Sequence, residues 1–157
     1  MLTRLREIVE KVAMAASLPE ALELLVKETC QAMHTDVCSI YLADIPHRCF
    51  YLMATKGLKK PKGRAVSLSF DEGVVGEVGR LSELINLADI REHPNFTYLP
   101  QVKEDDLRAS LGVPIVYRRQ LLGVLVVQQK ERRLFNESEE SFMVTLATQL
   151  GAILSQV

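Results

Sequence analysis

A chain of 157 residues, 48% apolar and 25% charged, has the balance of one ordinary globular domain. It is long enough to bury roughly two-thirds of its unfolded surface without help from disulfides or metal. A net charge of −1 leaves no whole-molecule field to attract nucleic acid or an anionic membrane, and the longest apolar runs fall far short of the ~20 residues that cross a bilayer. The charged opening, residues 2–7, is unlike a secretory leader, so a cytoplasmic protein is expected. The three cysteines, Cys30, Cys38 and Cys49, are odd in number and form no C-x-x-C, which points to free, buried thiols rather than a disulfide framework or a zinc site. His34, His47 and His93 lie too far apart to suggest a metal or haem set.

Two amphipathic helices open the chain. Residues 5–15 carry Leu5, Ile8, Val9 and Val12 at helical spacing, with Thr3 as a cap. The second begins at Ser17-Leu18-Pro19-Glu20, where Ser17 and Glu20 have capping-box spacing and the proline sits in a tolerant first turn. Its face is Leu22, Leu25, Val26, Thr29 and Met33. The segment "VCSIYLAD" alternates, with Cys38, Ile40 and Leu42 on one side and Val37, Ser39 and Tyr41 on the other. After the turn "IPHR", residues 49–55 return as its hairpin partner. A basic loop, "KGLKKPKGR", precedes the short strand "AVSLSF", and a short helix is expected from Gly73, followed by the brief strand "LINLADI". Residues 91–109 read as a loop with one helical turn.

The stretch "SLGVPIVYRRQLLGVLVVQQ" then forms a hairpin, and a last helix starts at Asn136, with Glu139 at capping-box spacing and Phe142, Leu146, Leu150 and Ile153 on one stripe. In residues 121–127, Val124 and Val126 face one way and Leu125 and Val127 the other, so this strand is covered on both faces and lies inside a sheet. Pro114 cannot donate to a ladder. A bend at Gly112-Val113-Pro114 is therefore expected, opening a pocket between sheet and loop. The fold class is α+β: a central antiparallel sheet of five to six strands, terminal helices on one face, and loops with short helices forming a pocket on the other.

Several residues in that middle region carry groups that can bind a ligand. Gly73, Gly76 and Gly79 recur at three-residue spacing without the lysine-serine of a phosphate loop. They suit close helix packing, or a helix start at Val74 whose free N–H groups and positive dipole end meet a carboxylate. Asn86 and Asp89 lie on the brief strand; Asp89 either caps the following turn or receives an ammonium group. Phe70, Val75 and Phe96 supply apolar surface, and Tyr98 a hydroxyl. Arg108 either clamps a carboxylate or pairs on the surface with Glu104, four residues away. Ser110 and Gly112 line the same mouth, while Ser39, Tyr41 and Thr55 depend on strand register. The lysines of the basic loop lack interleaved aromatics, which argues against nucleic acid.

"LGVPI", "QLLGVLVV" and "FNESEESFMVTLATQLGAI" together resemble the last third of GAF domains, and "FDEGVVGEVGRLSELINLADIREHPNF" is similar to their middle. Within that family, "YLMATKGLKKPKGRAVSLSFDEGVVG" and "YRRQLLGVLVVQQKE" resemble the amino-terminal GAF domain of enzymes I of the nitrogen-related phosphotransferase system. The resemblance implies a single GAF domain over residues 1–157, a regulatory piece of a longer phosphoenolpyruvate-protein phosphotransferase. It implies a small amino or keto acid effector, glutamine or 2-oxoglutarate, together with downstream phosphotransferase domains and a homodimer as partners. Magnesium and phosphoenolpyruvate belong to catalytic domains outside these residues, so the domain itself carries no cofactor and no catalysis. Two alternatives stand beside sensing. One is a ligand-free dimerisation module using Leu5, Ile8, Val12, Leu146, Leu150 and Ile153. The other is a free methionine sulfoxide reductase, whose relatives place cysteines just ahead of the V-P strand, where this sequence has none.

Overall fold

The computed structural model describes residues 2–58, 66–93 and 106–156. The elements are α1 (Leu2–Ala13), α2 (Leu18–Met33), β1 (Val37–Asp44), β2 (Cys49–Lys56), β3 (Ser67–Ser69), α3 (Gly73–Leu81), β4 (Ile85–Leu87), a 3₁₀ turn (Ile90–Glu92), β5 (Ala109–Tyr117), β6 (Gln120–Gln129) and α4 (Glu137–Leu154). The six strands form one sheet in the order β3-β2-β1-β6-β5-β4, with every neighbouring pair antiparallel. The expected α+β class is the one observed.

The sheet separates two apolar layers. Ile8, Leu22, Leu25, Met33, Leu146 and Leu150 from α1, α2 and α4 pack on one face against Ile40, Leu111, Ile115, Leu125 and Val127. Val78 from α3 packs on the other, against Tyr41, Phe50, Leu68, Phe70, Val124 and Val126. β6 lies between β1 and β5, and Val124 to Val127 are all at most 2% exposed. Their apolar character on both faces follows from burial on both faces.

The caps behave largely as their spacing predicts. Asn136 accepts from the Glu139 amide at 2.8 Å, and Glu139 accepts from the Asn136 amide at 2.9 Å, a complete capping box. At α2, Ser17 accepts from the Glu20 amide, but the Glu20 carboxylate takes the Ala16 amide instead. α1 begins at Leu2, so Thr3 lies inside the helix and does not cap it. Glu28, 6% exposed on α2, joins α1 through Lys11 at 2.9 Å and Arg4 at 3.5 Å. The hydrogen bond from Lys11 holds its carboxyl below the usual range.

Pairing of β5 with β6 runs through Gly112, Val113 and Pro114 without interruption. Gly112 pairs with Ile85 on one side and Val126 on the other, and the irregularity falls between Ile115 and Val116. The register with β4 ends at Gly112, two residues before Pro114, so the proline sits where β5 has a neighbour on one side only. The opening expected at Gly112 is filled as well. A Cβ there would lie 3.1 Å from Val78 Cγ2, so the glycine admits α3 rather than a ligand.

Candidate functional site

The glycine spacing of α3 is a packing device. A Cβ at Gly76 would meet Phe70 O at 2.7 Å, and one at Gly79 would meet Phe50 Cζ at 2.2 Å. The helix therefore crosses the sheet face in close contact, from the β3 edge toward Gly112 of β5. Its N-cap, Glu72, makes no side-chain cap bond, because its carboxylate accepts from the Ser69 amide instead. Phe70 stacks on Phe50 with ring centroids 4.6 Å apart and is 8% exposed, while Val74 and Val75 are partly buried against the same cluster. The start of α3 thus lies at the β3 edge, and Asp89, Arg108 and Ser110 lie toward the β4 edge. The structure does not gather them around one point.

Asn86 turns to the opposite face. It pairs in register with Leu111, a member of the terminal-helix core. Its Nδ2 donates to Phe135 O at 2.8 Å and to Glu140 Oε2 at 2.9 Å, and its Oδ1 accepts from the Phe135 amide. It pins the β6–α4 connection and is removed from the pocket side. Asp89 takes the capping role: Oδ1 accepts from the Arg91 amide and Oδ2 pairs with Arg132 at 3.2 Å. Arg108 is exposed; its amide donates to Gln129 O and its carbonyl accepts from Ile90. Phe96, Tyr98 and the Glu104 partner of Arg108 lie outside the described residues, as does most of the basic loop.

Strand register brings together a set that no single segment displays. Ser39 pairs with Val126 and with Thr55, and Ser110 pairs with Gln128, all on the α3 face of the sheet. Ser39, Ser110 and Gln128 are 0%, 1% and 7% exposed, and Ser39 Oγ lies 2.8 Å from Thr55 Oγ1. This uncharged polar row crosses β2, β1, β6 and β5 at the sheet end from which segments 59–65 and 94–105 depart. Leu58, Val66 and Leu107 border it in the same apolar cluster. Hydroxyls and a carboxamide both donate and accept, so the row can hydrogen-bond a small polar molecule without fixing its charge. Of the row, Ser110 was among the residues the sequence singles out for the pocket mouth. Ser39 and Thr55 needed the register, and Gln128 went unnoticed, although it interrupts the apolar run of β6 as a polar residue on a covered face.

Beside the row, His93 Nε2 lies 2.7 Å from Glu77 Oε2, tying the end of the 3₁₀ turn to α3. On the helical side, a groove of about 530 Å³ opens between α1 and α4, lined by Leu5, Arg6, Val9, Glu10 and Gln149. Cys30 and Cys38 are buried, and burial pushes both thiols up, Cys38 well above the ordinary range. Cys49 is only partly buried, which departs from the expectation for it. Among the described residues no cluster of His, Cys, Asp and Glu could hold a metal ion, and no helix is long and apolar enough to cross a membrane.

The family model for the GAF domain matches residues 17–154. Two curated relatives, each called phosphoenolpyruvate-dependent phosphotransferase system, come from Escherichia coli and Salmonella typhimurium. Each is 70% identical over 156 residues, 99% of this chain, and the chain spans 21% of their length. Among solved structures, the GAF domains of phosphoenolpyruvate-protein phosphotransferases from Acinetobacter and Coxiella burnetii are both 41% identical. They superpose with TM-scores of 0.89 and 0.91, over 99% of this chain and 92% of theirs. A free methionine-R-sulfoxide reductase from Neisseria meningitidis shares the fold at 20% identity, with a TM-score of 0.83 over 96% of this chain and 86% of its own. With its six-stranded antiparallel sheet and two-sided helical cover, the chain belongs to the GAF domain family.

Proposed function

We propose that this chain is the regulatory domain of a phosphoenolpyruvate-protein phosphotransferase of the nitrogen-related system, and that it senses a small amino or keto acid, glutamine or 2-oxoglutarate. The observation that carries this reading is the polar row of buried Ser39, Ser110 and Gln128 with partly exposed Thr55 beside Ser39, on an otherwise apolar sheet face. Ser39 and Thr55 already match each other at 2.8 Å, and a hydrogen-bonding ligand above the row would add partners for Ser110 and Gln128. The 70% identity to phosphotransferase relatives supports the wider setting. In that setting a phosphoryl group passes from phosphoenolpyruvate through an enzyme histidine to a carrier protein. That chemistry, its magnesium ion and a cytoplasmic location belong to the longer enzyme; the domain contributes an effector-dependent bias. A ligand shifts such an equilibrium only by its differential affinity for two states, typically ~1–3 kcal/mol.

The test is calorimetric titration with a panel of amino and keto acids, repeated on Ser39→Ala and Gln128→Leu. The reading expects saturable binding of glutamine or 2-oxoglutarate that weakens about five-fold or more in either variant. Binding that is indifferent to both variants, or no binding at all, rejects it. A second reading, self-association, is favoured by the groove between α1 and α4 with its apolar Leu5 and Val9. Sedimentation of the protein across a hundred-fold concentration range separates the two readings. Reductase activity lacks a thiol in the right place, and incubation with methionine sulfoxide and a thiol donor is expected to give no turnover.

A further inference from the structure

Among the described residues, five other than glycine have positive φ: His34, Arg48, Ser82, Arg118 and Arg119. His34 and Ser82 are helix C-caps, where a left-handed residue is ordinary. The remaining three are all arginines, and all sit in hairpin turns. Arg118 and Arg119, at φ 49° and 66°, are the two central residues between β5 and β6, the combination of a type I′ turn that ordinarily selects Asn-Gly. Arg48, at φ 51°, closes the β1–β2 connection, where its amide donates to Ile45 O and where glycine or asparagine is the usual occupant. β1 and β6 are neighbours, with Leu42 opposite Gly123, so both turns project from the same end of the sheet. The C-terminal end of α4 reaches that end too, since a Cβ at Gly151 would lie 3.0 Å from Val116 O.

A left-handed residue with a side chain lowers stability relative to glycine, so three such arginines in one place suggest that their side chains are retained for contact. Their presentation supports this. Arg118 lays its guanidinium over the Tyr117 ring at 5.3 Å, a contact made through the flat face of the group, while the side chain stays exposed. Arg48 is placed likewise over Phe70 at 5.6 Å and shares Asp71 at 3.7 Å. Arg118 and Arg119 are exposed, and no described carboxylate pairs with either. Edge-on guanidinium forks bind carboxylates in bidentate fashion. Asp44, Asp71 and Glu72 alternate with the basic groups at this end of the sheet, so no broad positive field exists for a nucleic acid or a membrane.

We propose that the adjoining tips of the β1–β2 and β5–β6 hairpins form a docking point for a protein surface bearing paired carboxylates, with Arg118 and Arg119 as its contacts.

The test follows the Nε–Hε NMR signals of the arginines during titration with an end-blocked Glu-Glu-Glu peptide and, in a separate arm, with inorganic phosphate. Two variants accompany it, Arg118→Asn with Arg119→Gly, and Arg118→Lys with Arg119→Lys. The proposal expects the peptide to move the Arg118 and Arg119 signals, with an affinity that falls as salt rises. The Asn-Gly turn should abolish binding and raise the melting temperature by about 3 °C or more, since it relieves the left-handed strain. The lysine pair keeps the charge and should still bind about five-fold more weakly. Four results overturn the proposal: an Asn-Gly variant no more stable than the wild type, arginine signals that the peptide leaves unmoved, phosphate moving them as far as the peptide does, or a lysine pair that binds the peptide as well as the wild type.

Discussion

Replacing Asn86 by leucine should loosen the start of α4. The side chain makes three hydrogen bonds, at 2.8 Å to Phe135 O, 2.9 Å to Glu140 Oε2 and 3.3 Å from the Phe135 amide. Each backbone bond is worth about 1 kcal/mol net, and the charged one about 1.5 before screening, because Asn86 and Glu140 are only partly buried. The loss should be about 2–3 kcal/mol. For a domain of this size, with a urea m-value near 2 kcal/mol/M, the unfolding midpoint falls by about 1–1.5 M. Asn86→Asp sharpens the test. It preserves the acceptor for the Phe135 amide but sets a carboxylate against Glu140 and the Phe135 carbonyl. Its deficit should exceed that of leucine at pH 7 and shrink below about pH 5 as the new carboxyl protonates. A midpoint shift in Asn86→Leu worth less than ~0.5 kcal/mol would refute the assignment of Asn86 as the pin of the β6–α4 connection.

Three further outcomes are expected. Gly79→Ala, a change that normally favours a helix by about 1 kcal/mol, should instead destabilise by about 1–3 kcal/mol, because the new Cβ would lie 2.2 Å from Phe50 Cζ; a gain in urea stability would contradict the packing of α3. Glu28→Gln should cost about 1 kcal/mol or more at pH 7. The Glu28 carboxyl is held below its ordinary value of 4.5, so its contribution is present above that value and lost as pH falls through the folded pKa. The gap between wild type and variant should therefore close below about pH 4, and a gap constant with pH would count against the Lys11 pairing. Thiol titration of the native protein should label partly buried Cys49 ahead of Cys30 and Cys38, whose buried thiolates are suppressed, with all three reacting in denaturant; simultaneous fast labelling would contradict the burial.

What the sequence revealed was what repeats along the chain. The alternation of residues 37–44, the two apolar faces of residues 121–127 and the Asn136–Glu139 spacing each reflect contacts with near neighbours or with a uniform environment, and each was found as expected. Long-range pairing stayed hidden. Asn86 reads as a pocket residue until its partner, 49 positions away, is seen behind the sheet. Pro114 reads as a bend until β4 is seen to stop short of it. The polar row needed the joint register of β2, β1, β6 and β5, which turn lengths and burial set together, and a slip of one residue would have turned Ser39 to the other core.

A small amino or keto acid is proposed to bind over the polar row on the α3 face. The most direct test of this proposal is a backbone-amide NMR titration with glutamine and with 2-oxoglutarate. Saturable shifts are expected, concentrated at Ser39, Thr55, Ser110 and Gln128, with residues along the α1–α4 groove unmoved. Saturation confined to Leu5, Val9 and Gln149, or no saturable shift with either acid, would contradict it.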